Sequence, residues 1–274
     1  MTWVLGSIVL PFGYGTLISD VRVSWAGGRY RDDLQKIYPI VPGIIAGFAG
    51  SVPLGFQLLE DMKHSLAAPK ATRGSIMRWH RRARQIFKSA PTAWQNSFSQ
   101  ILVVGSHTRG RTRCIRMISP DFKPEIGTEL SWLSIGSGAA HSEATAWANG
   151  YCHHTFLQDF GGLEIAEPHF GIARSMALNL AMDLLREPMS SVSNILQVGV
   201  VEGNTVKIET LGLVPTGPSA WRTQTLQNPL LQSWDDFSEA VSKDGLDCFS
   251  AVTSCSKGIA MSLRRAWETG RGRC

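Results

Sequence analysis

A chain of 274 residues, 43% hydrophobic and 18% charged, is long and apolar enough to bury a sizeable core, so a disordered chain is set aside and one large or two small folded domains are expected. Five cysteines, Cys114, Cys152, Cys248, Cys255 and Cys274, are odd in number and scattered, which argues against a disulfide framework and for a reducing compartment, the cytoplasm. The net charge of +5 is mild but unevenly spread, because no acid occurs from Met62 to Pro120 while arginines and lysines cluster there.

Residues 2–8 and 16–24 read as two strands of apolar and β-branched residues joined by the turn through Pro11, Gly13 and Gly15. No basic residue precedes Asp20, which disfavours a secretory leader and fits a hairpin. Residues 35–41 and 43–48 give two further strands, completing a β-meander. The apolar run 38–56 is interrupted by Pro39, Pro42 and Pro53, so it reads as strand, turn and helix start and not as a membrane span. Residues 51–64 and 75–88 follow helical periodicity, the second rich in arginine, with a short run through Trp94 and Phe98 behind them. Strands are expected over 99–106, 112–119 and 130–135, and helices over about 136–157 and 168–185. A hairpin at 195–201 and 205–210 turns at Glu202-Gly203-Asn204. Residues 212–228 read as a Pro- and Thr-containing surface loop, Ser233 with Asp236 as a helix cap, and 249–267 as a closing helix.

Within the first strands lie the parts that would turn a threonine into a nucleophile. A threonine hydroxyl needs a base, and an N-terminal α-amine titrating near neutrality serves as one within the same residue; Thr2 qualifies once Met1 is removed. A lysine held nearby lowers the hydroxyl pKa, and a buried aspartate orients that lysine, roles open to Lys36 and Asp20. A backbone N–H in the small-residue turn Ala46-Gly47-Phe48-Ala49-Gly50-Ser51, at Gly50, is placed to hold an oxyanion. Singly, an ordinary Asp–Lys ion pair and a tight connection explain these residues as well; it is their order and spacing that favours the joint reading.

Asp20-Val21-Arg22-Val23-Ser24, Lys36-Ile37-Tyr38-Pro39-Ile40 and Ile44-Ile45-Ala46-Gly47-Phe48-Ala49-Gly50, read after Thr2, resemble the proteasome β-subunit family and the bacterial proteasome-like peptidases. The resemblance extends to about Ile208. It implies an α+β Ntn-hydrolase fold, a four-layer αββα sandwich of two antiparallel sheets between helices, over residues 2–210. A basic helical insertion at about 65–98 interrupts it, and an appendage of loop and helices over 211–274 follows. It also implies that Ser137, in Gly136-Ser137-Gly138, hydrogen-bonds the threonine amine, and that Glu187 and Ser190, in Arg186-Glu187-Pro188-Met189-Ser190, support it. Glu187 stands where the pattern has Asp. Substrate contacts are implied at Arg22, Val23, Ser24, Leu34, Phe48 and Val52. The apolar members of that set imply cleavage after hydrophobic residues.

The expected function is therefore a threonine-type peptidase with no cofactor, acting on peptide or unfolded protein within a homo-oligomeric ring fed by an ATP-dependent unfoldase. Glu187, a longer first hairpin and the added segments support an alternative, a catalytically silent scaffold or partner-binding subunit. Tyr151-Cys152-His153-His154 with His141 lacks a second pair at metal-ligand spacing, so no metal is expected. Trp79 and Phe87 interleave with arginines as in a nucleic-acid surface, but a solvated outer face explains the basic segment better.

Overall fold

The computed structural model describes residues 3–9, 14–26, 28–67, 73–106, 112–127, 132–136, 193–217, 220–227 and 230–253. Strands β1 (Trp3–Val9) and β2 (Tyr14–Asp20) pair antiparallel from Val4↔Ser19 to Val9↔Tyr14. Every residue of β2 is buried, so the strand lies inside the molecule and Asp20 at its end enters the core with it. The chain breaks strand at Val21 and continues through β3 (Val23–Ser24), β4 (Tyr30–Arg31), β5 (Ile37–Val41) and β6 (Ile44–Ser51). The turn between β5 and β6 needs φ +77° at Gly43, a conformation open to glycine.

Helix α1 (Val52–Ala67) buries Leu54, Leu58, Leu59, Met62 and Leu66. Helix α2 (Arg73–Ser89) does the same with Ile76, Trp79, Ala83 and Phe87, spaced three or four apart, leaving Arg78, Arg81, Arg82, Arg84 and Lys88 exposed. The short α3 (Thr92–Gln95) precedes β7 (Gln100–Ser106) and β8 (Thr112–Ile118), and β9 (Glu125–Ile126) and β10 (Trp132–Gly136) follow. Strands β11 (Ile195–Glu202) and β12 (Thr205–Gly217) form the expected hairpin, with Gly203 at φ +55° in its turn. After β13 (Ala220–Thr225) come α4 (Trp234–Lys243), a 3-10 turn at Cys248–Ser250 and β14 (Val252–Thr253).

Two sheets result. The first runs β10-β1-β2-β11-β12-β13; the second runs β4-β3-β14-β6-β7-β8-β9, with β5 also on β6. Val4, Leu17 and Ile135 of the first meet Ile37, Ile45, Leu102 and Val104 of the second in a shared apolar layer. The opposite face of the second sheet, through Ala46, Phe48, Ile101, Val103 and Met117, is covered by α1, α2 and α4. Strand position therefore decides which of two cores a side chain enters: along β6, Ile45 and Ala49 point to the inter-sheet layer, Ala46 and Phe48 to the helices.

This corrects the expected four-layer αββα sandwich. Strand outweighs helix, 46% against 30%, in two mostly antiparallel sheets with four helices among the described residues, and the helices named above cover the second sheet. The expected sandwich rests on a resemblance at a few motifs, and the helices expected over about 136–157 and 168–185 fall outside the described residues but for Gly136. The surface loop expected at 212–228 is also corrected. Residues 211–217 extend β12, and β13 pairs with it from Leu211↔Thr225 to Gly217↔Ala220, around a bulge at Pro215/Gly217. Trp79 and Phe87, 3% and 8% exposed in the helical core, cannot offer rings for stacking on bases.

Candidate functional site

Asp20 ends β2 where that strand also pairs with Leu196 of β11. Lys36 lies just before β5 and reaches it from the other sheet: Nζ donates to Asp20 Oδ1 at 2.9 Å, and both side chains are wholly buried. The same Oδ1 accepts the amide of Trp3 at 3.0 Å, and Oδ2 accepts the amide of Arg22 at 3.0 Å. A buried carboxylate is thus satisfied by one cation and two backbone donors, the condition under which a charge can leave water. Burial pushes the Lys36 ammonium below its ordinary pKa of 10.5, against the pull of the Asp20 carboxylate. The ammonium can stabilise a neighbouring anion, and burial makes it readier than an ordinary lysine to give up its proton.

Sequence reasoning missed the residue that sets Lys36 in place. Gln197 of β11 accepts the amides of Lys36 and Ile37 through Oε1, at 2.6 and 3.2 Å. It is a polar side chain in the apolar run Ile195-Leu196-Gln197-Val198, 1% exposed, and that mismatch was the available signal. Gln100 of β7 acts alike toward the amide of Gly136, at 2.9 Å.

Trp3 directly follows Thr2, so the Asp20–Lys36 pair is hydrogen-bonded to the peptide unit through which Thr2 joins the chain. Gly136, the residue before Ser137, pairs with Trp3 across β1 and β10. Thr2, Ser137, Glu187 and Ser190 themselves lie outside the described residues, as do His141 and 151–154. Among the described residues no group of three His, Cys, Asp or Glu is placed to hold a metal.

Of the expected substrate contacts, Val23, Leu34, Phe48 and Val52 are all fully buried and belong to one apolar cluster, which also contains Phe237, Cys248 and Ala251 from the C-terminal part of the chain. Ser24 pairs with Tyr30 and with Val252. Arg22 turns away into a bidentate pair with Asp32, Nε to Oδ1 and Nη2 to Oδ2 both at 2.6 Å, with its guanidinium 4.0 Å above the Tyr30 ring.

Gly50 carries φ +109°, and a Cβ there would stand 1.8 Å from the carbonyl oxygen of Phe98, so only glycine fits. Its amide, the expected oxyanion donor, donates to Thr253 Oγ1 at 2.6 Å, and that hydroxyl donates back to the Gly50 carbonyl at 3.0 Å. The donor is present and occupied by the chain's own C-terminal strand.

No protein-family model and no curated protein matches the chain. Among the described residues no helix is long and apolar enough to cross a membrane.

Proposed function

We propose that the chain is a threonine-type peptidase subunit in which Thr2, with its amine free, is the nucleophile. The observation that carries this reading is the shared oxygen of Asp20, which binds Lys36 and the peptide unit next to Thr2 together in a dry site. In the proposed reaction the Thr2 hydroxyl attacks the scissile carbonyl and its proton passes to the α-amine, with the positive charge of Lys36 favouring the alkoxide. The Gly50 amide, once released by Thr253, stabilises the oxyanion; the C–N bond then breaks, the leaving amine takes the proton, and water releases the acyl group from Thr2. Ser137, Glu187 and Ser190 support the amine on this reading. Hydrophobic side chains of an unfolded substrate reach Val23, Leu34, Phe48 and Val52 only once the C-terminal segment, whose Cys248 and Ala251 pack in the same cluster, withdraws. Two free cysteines among the described residues, Cys114 and Cys248, support a reducing, cytoplasmic setting. Closed homo-oligomeric rings served by an ATP-driven unfoldase complete the proposal, and a native particle sedimenting far above the 30.0 kDa of one chain is its expected signature.

The test is an intact-mass spectrum after exposure to an epoxyketone, which needs both the hydroxyl and the free amine of a threonine. One adduct per chain on a mass lacking Met1, abolished in Thr2→Ala, is the expected result. Retained Met1 and no adduct would overturn it. A second reading, a catalytically silent scaffold subunit, is favoured by one observation, the capture of the Gly50 amide by Thr253.

A further inference from the structure

Strand β14 does not lie on an edge. It is inserted between β3 and β6, antiparallel to both, with Val252 opposite Ser24 on one side and Ser51 on the other, and Thr253 opposite Gly50. The donor just past the end of β6 is used as well: the amide of Val52, the first residue of α1, donates to the Ala251 carbonyl at 3.2 Å. Ala251 and Thr253 are both 0% exposed. Yet the inserted ladder is only two residues long, and its partner β3 is equally short. What holds it is upstream. Trp25 Nε1 donates to the Asp247 carbonyl at 2.8 Å, and Phe249, itself 55% exposed, stacks on Trp94 with centroids 6.0 Å apart.

A slot lined on both sides by backbone donors and acceptors has to be filled, because buried unpaired amides are costly. Any extended segment can fill it, since strand addition is read mainly through main-chain hydrogen bonds, with pockets for alternate side chains. We infer that residues 251–253 are an autoinhibitory strand: they occupy the gap between β3 and β6 in competition with an extended peptide and cap the Gly50 amide. The slot stands on this geometry. Its consequence for catalysis, relief of inhibition when β14 leaves, rests on the peptidase reading above.

The experiment uses the full chain and a fluorescently labelled hexapeptide with the sequence of residues 249–254, Phe-Ser-Ala-Val-Thr-Ser, followed by anisotropy. Val252→Pro removes a ladder donor and Thr253→Val removes the hydroxyl on Gly50. With a cooperative thermal melt retained, each binds the peptide about tenfold more tightly than the unsubstituted chain. Unchanged or weaker binding in a folded variant overturns the inference. Should both variants fail to fold, a paired variant decides. Ser24→Cys with Val252→Cys places two thiols on facing residues of an antiparallel pair, within reach of a disulfide. Oxidised, it excludes the peptide; reduced, it admits it; equal binding in the two states overturns the proposal. Hydrolysis of a longer peptide is read alongside. A slot that opens in Val252→Pro without hydrolysis defeats the nucleophile and leaves the slot standing. Hydrolysis that runs equally in the oxidised and reduced chain defeats the slot and leaves the nucleophile.

Discussion

Lys36 and Asp20 form a pair whose value lies in what breaking it costs. Lys36→Met leaves the Asp20 carboxylate buried with two backbone donors and no cation, and an uncompensated buried charge destabilises by about 3–5 kcal/mol. Urea unfolding checks this, and peptide hydrolysis falls with it. The same pair sets a pH dependence. Because burial holds the Lys36 pKa below 10.5 in the fold, the unfolded chain binds more protons between those two values, and stability rises with pH across that window. Cys114 works the other way: burial raises its thiol above the ordinary 9.0, so above that pH the unfolded chain releases a proton that the fold retains. The urea midpoint therefore carries a rising contribution from Lys36 that is complete by pH 10.5 and a falling one from Cys114 that begins near pH 9.0. The Lys36→Met chain loses the climb and keeps the fall. The same pH profile in the Lys36→Met and unsubstituted chains contradicts this account.

Single elements show what the sequence can and cannot announce. Gly50→Ala combines φ +109° with a Cβ set 1.8 Å from a carbonyl oxygen, and a loss of about 3 kcal/mol or more is expected from chemical unfolding. That glycine was legible as part of a small-residue turn, but the reason for it, the close approach of Phe98, was not. Helix α2 was legible because Ile76, Trp79, Ala83 and Phe87 recur at helical spacing. So was the start of α4, where the Ser233 hydroxyl accepts the Asp236 amide at 3.1 Å. The β12 extension and β13 were missed because proline, threonine and glycine signal turns locally, while here a bulge absorbs them into a ladder. Strand β14 gave no signal at all. Two residues carry no periodicity, and its partners lie some two hundred positions earlier in the chain. The closing helix expected at 249–267 begins instead with a 3-10 turn and this strand, the rest lying outside the described residues.

At the scale of the molecule, the C-terminal part is woven into both sheets: β12 and β13 extend the first, β14 completes the second, and α4 closes the helical core through Phe237 and Val241. The Asp20–Lys36 and Gln197–Lys36 bonds cross between the same two sheets. Neither sheet can open without disturbing the other. Unfolding in denaturant is accordingly expected to give coincident transitions by circular dichroism and by tryptophan fluorescence. Two separated transitions would show that the layers melt independently. The candidate site was legible in the sequence because it sits where this coupling is tightest: an acid and a lysine in apolar strands are chemically incongruous, and burial favours their pairing. Gln197 and Thr253 escaped notice because a neutral polar side chain among apolar neighbours is a weaker incongruity.

The attachment of β14 to its anchor at Asp247–Phe249 has one more consequence. A tethered segment presents itself to its slot at an effective concentration in about the millimolar range, however dilute the protein. A free peptide of two or three residues, with the same few bonds to offer, is always outnumbered. A long extended chain that engages many sites at once can exceed that threshold. The chain would then carry its own length filter, ignoring the small peptides of its surroundings and yielding only to unfolded polypeptide.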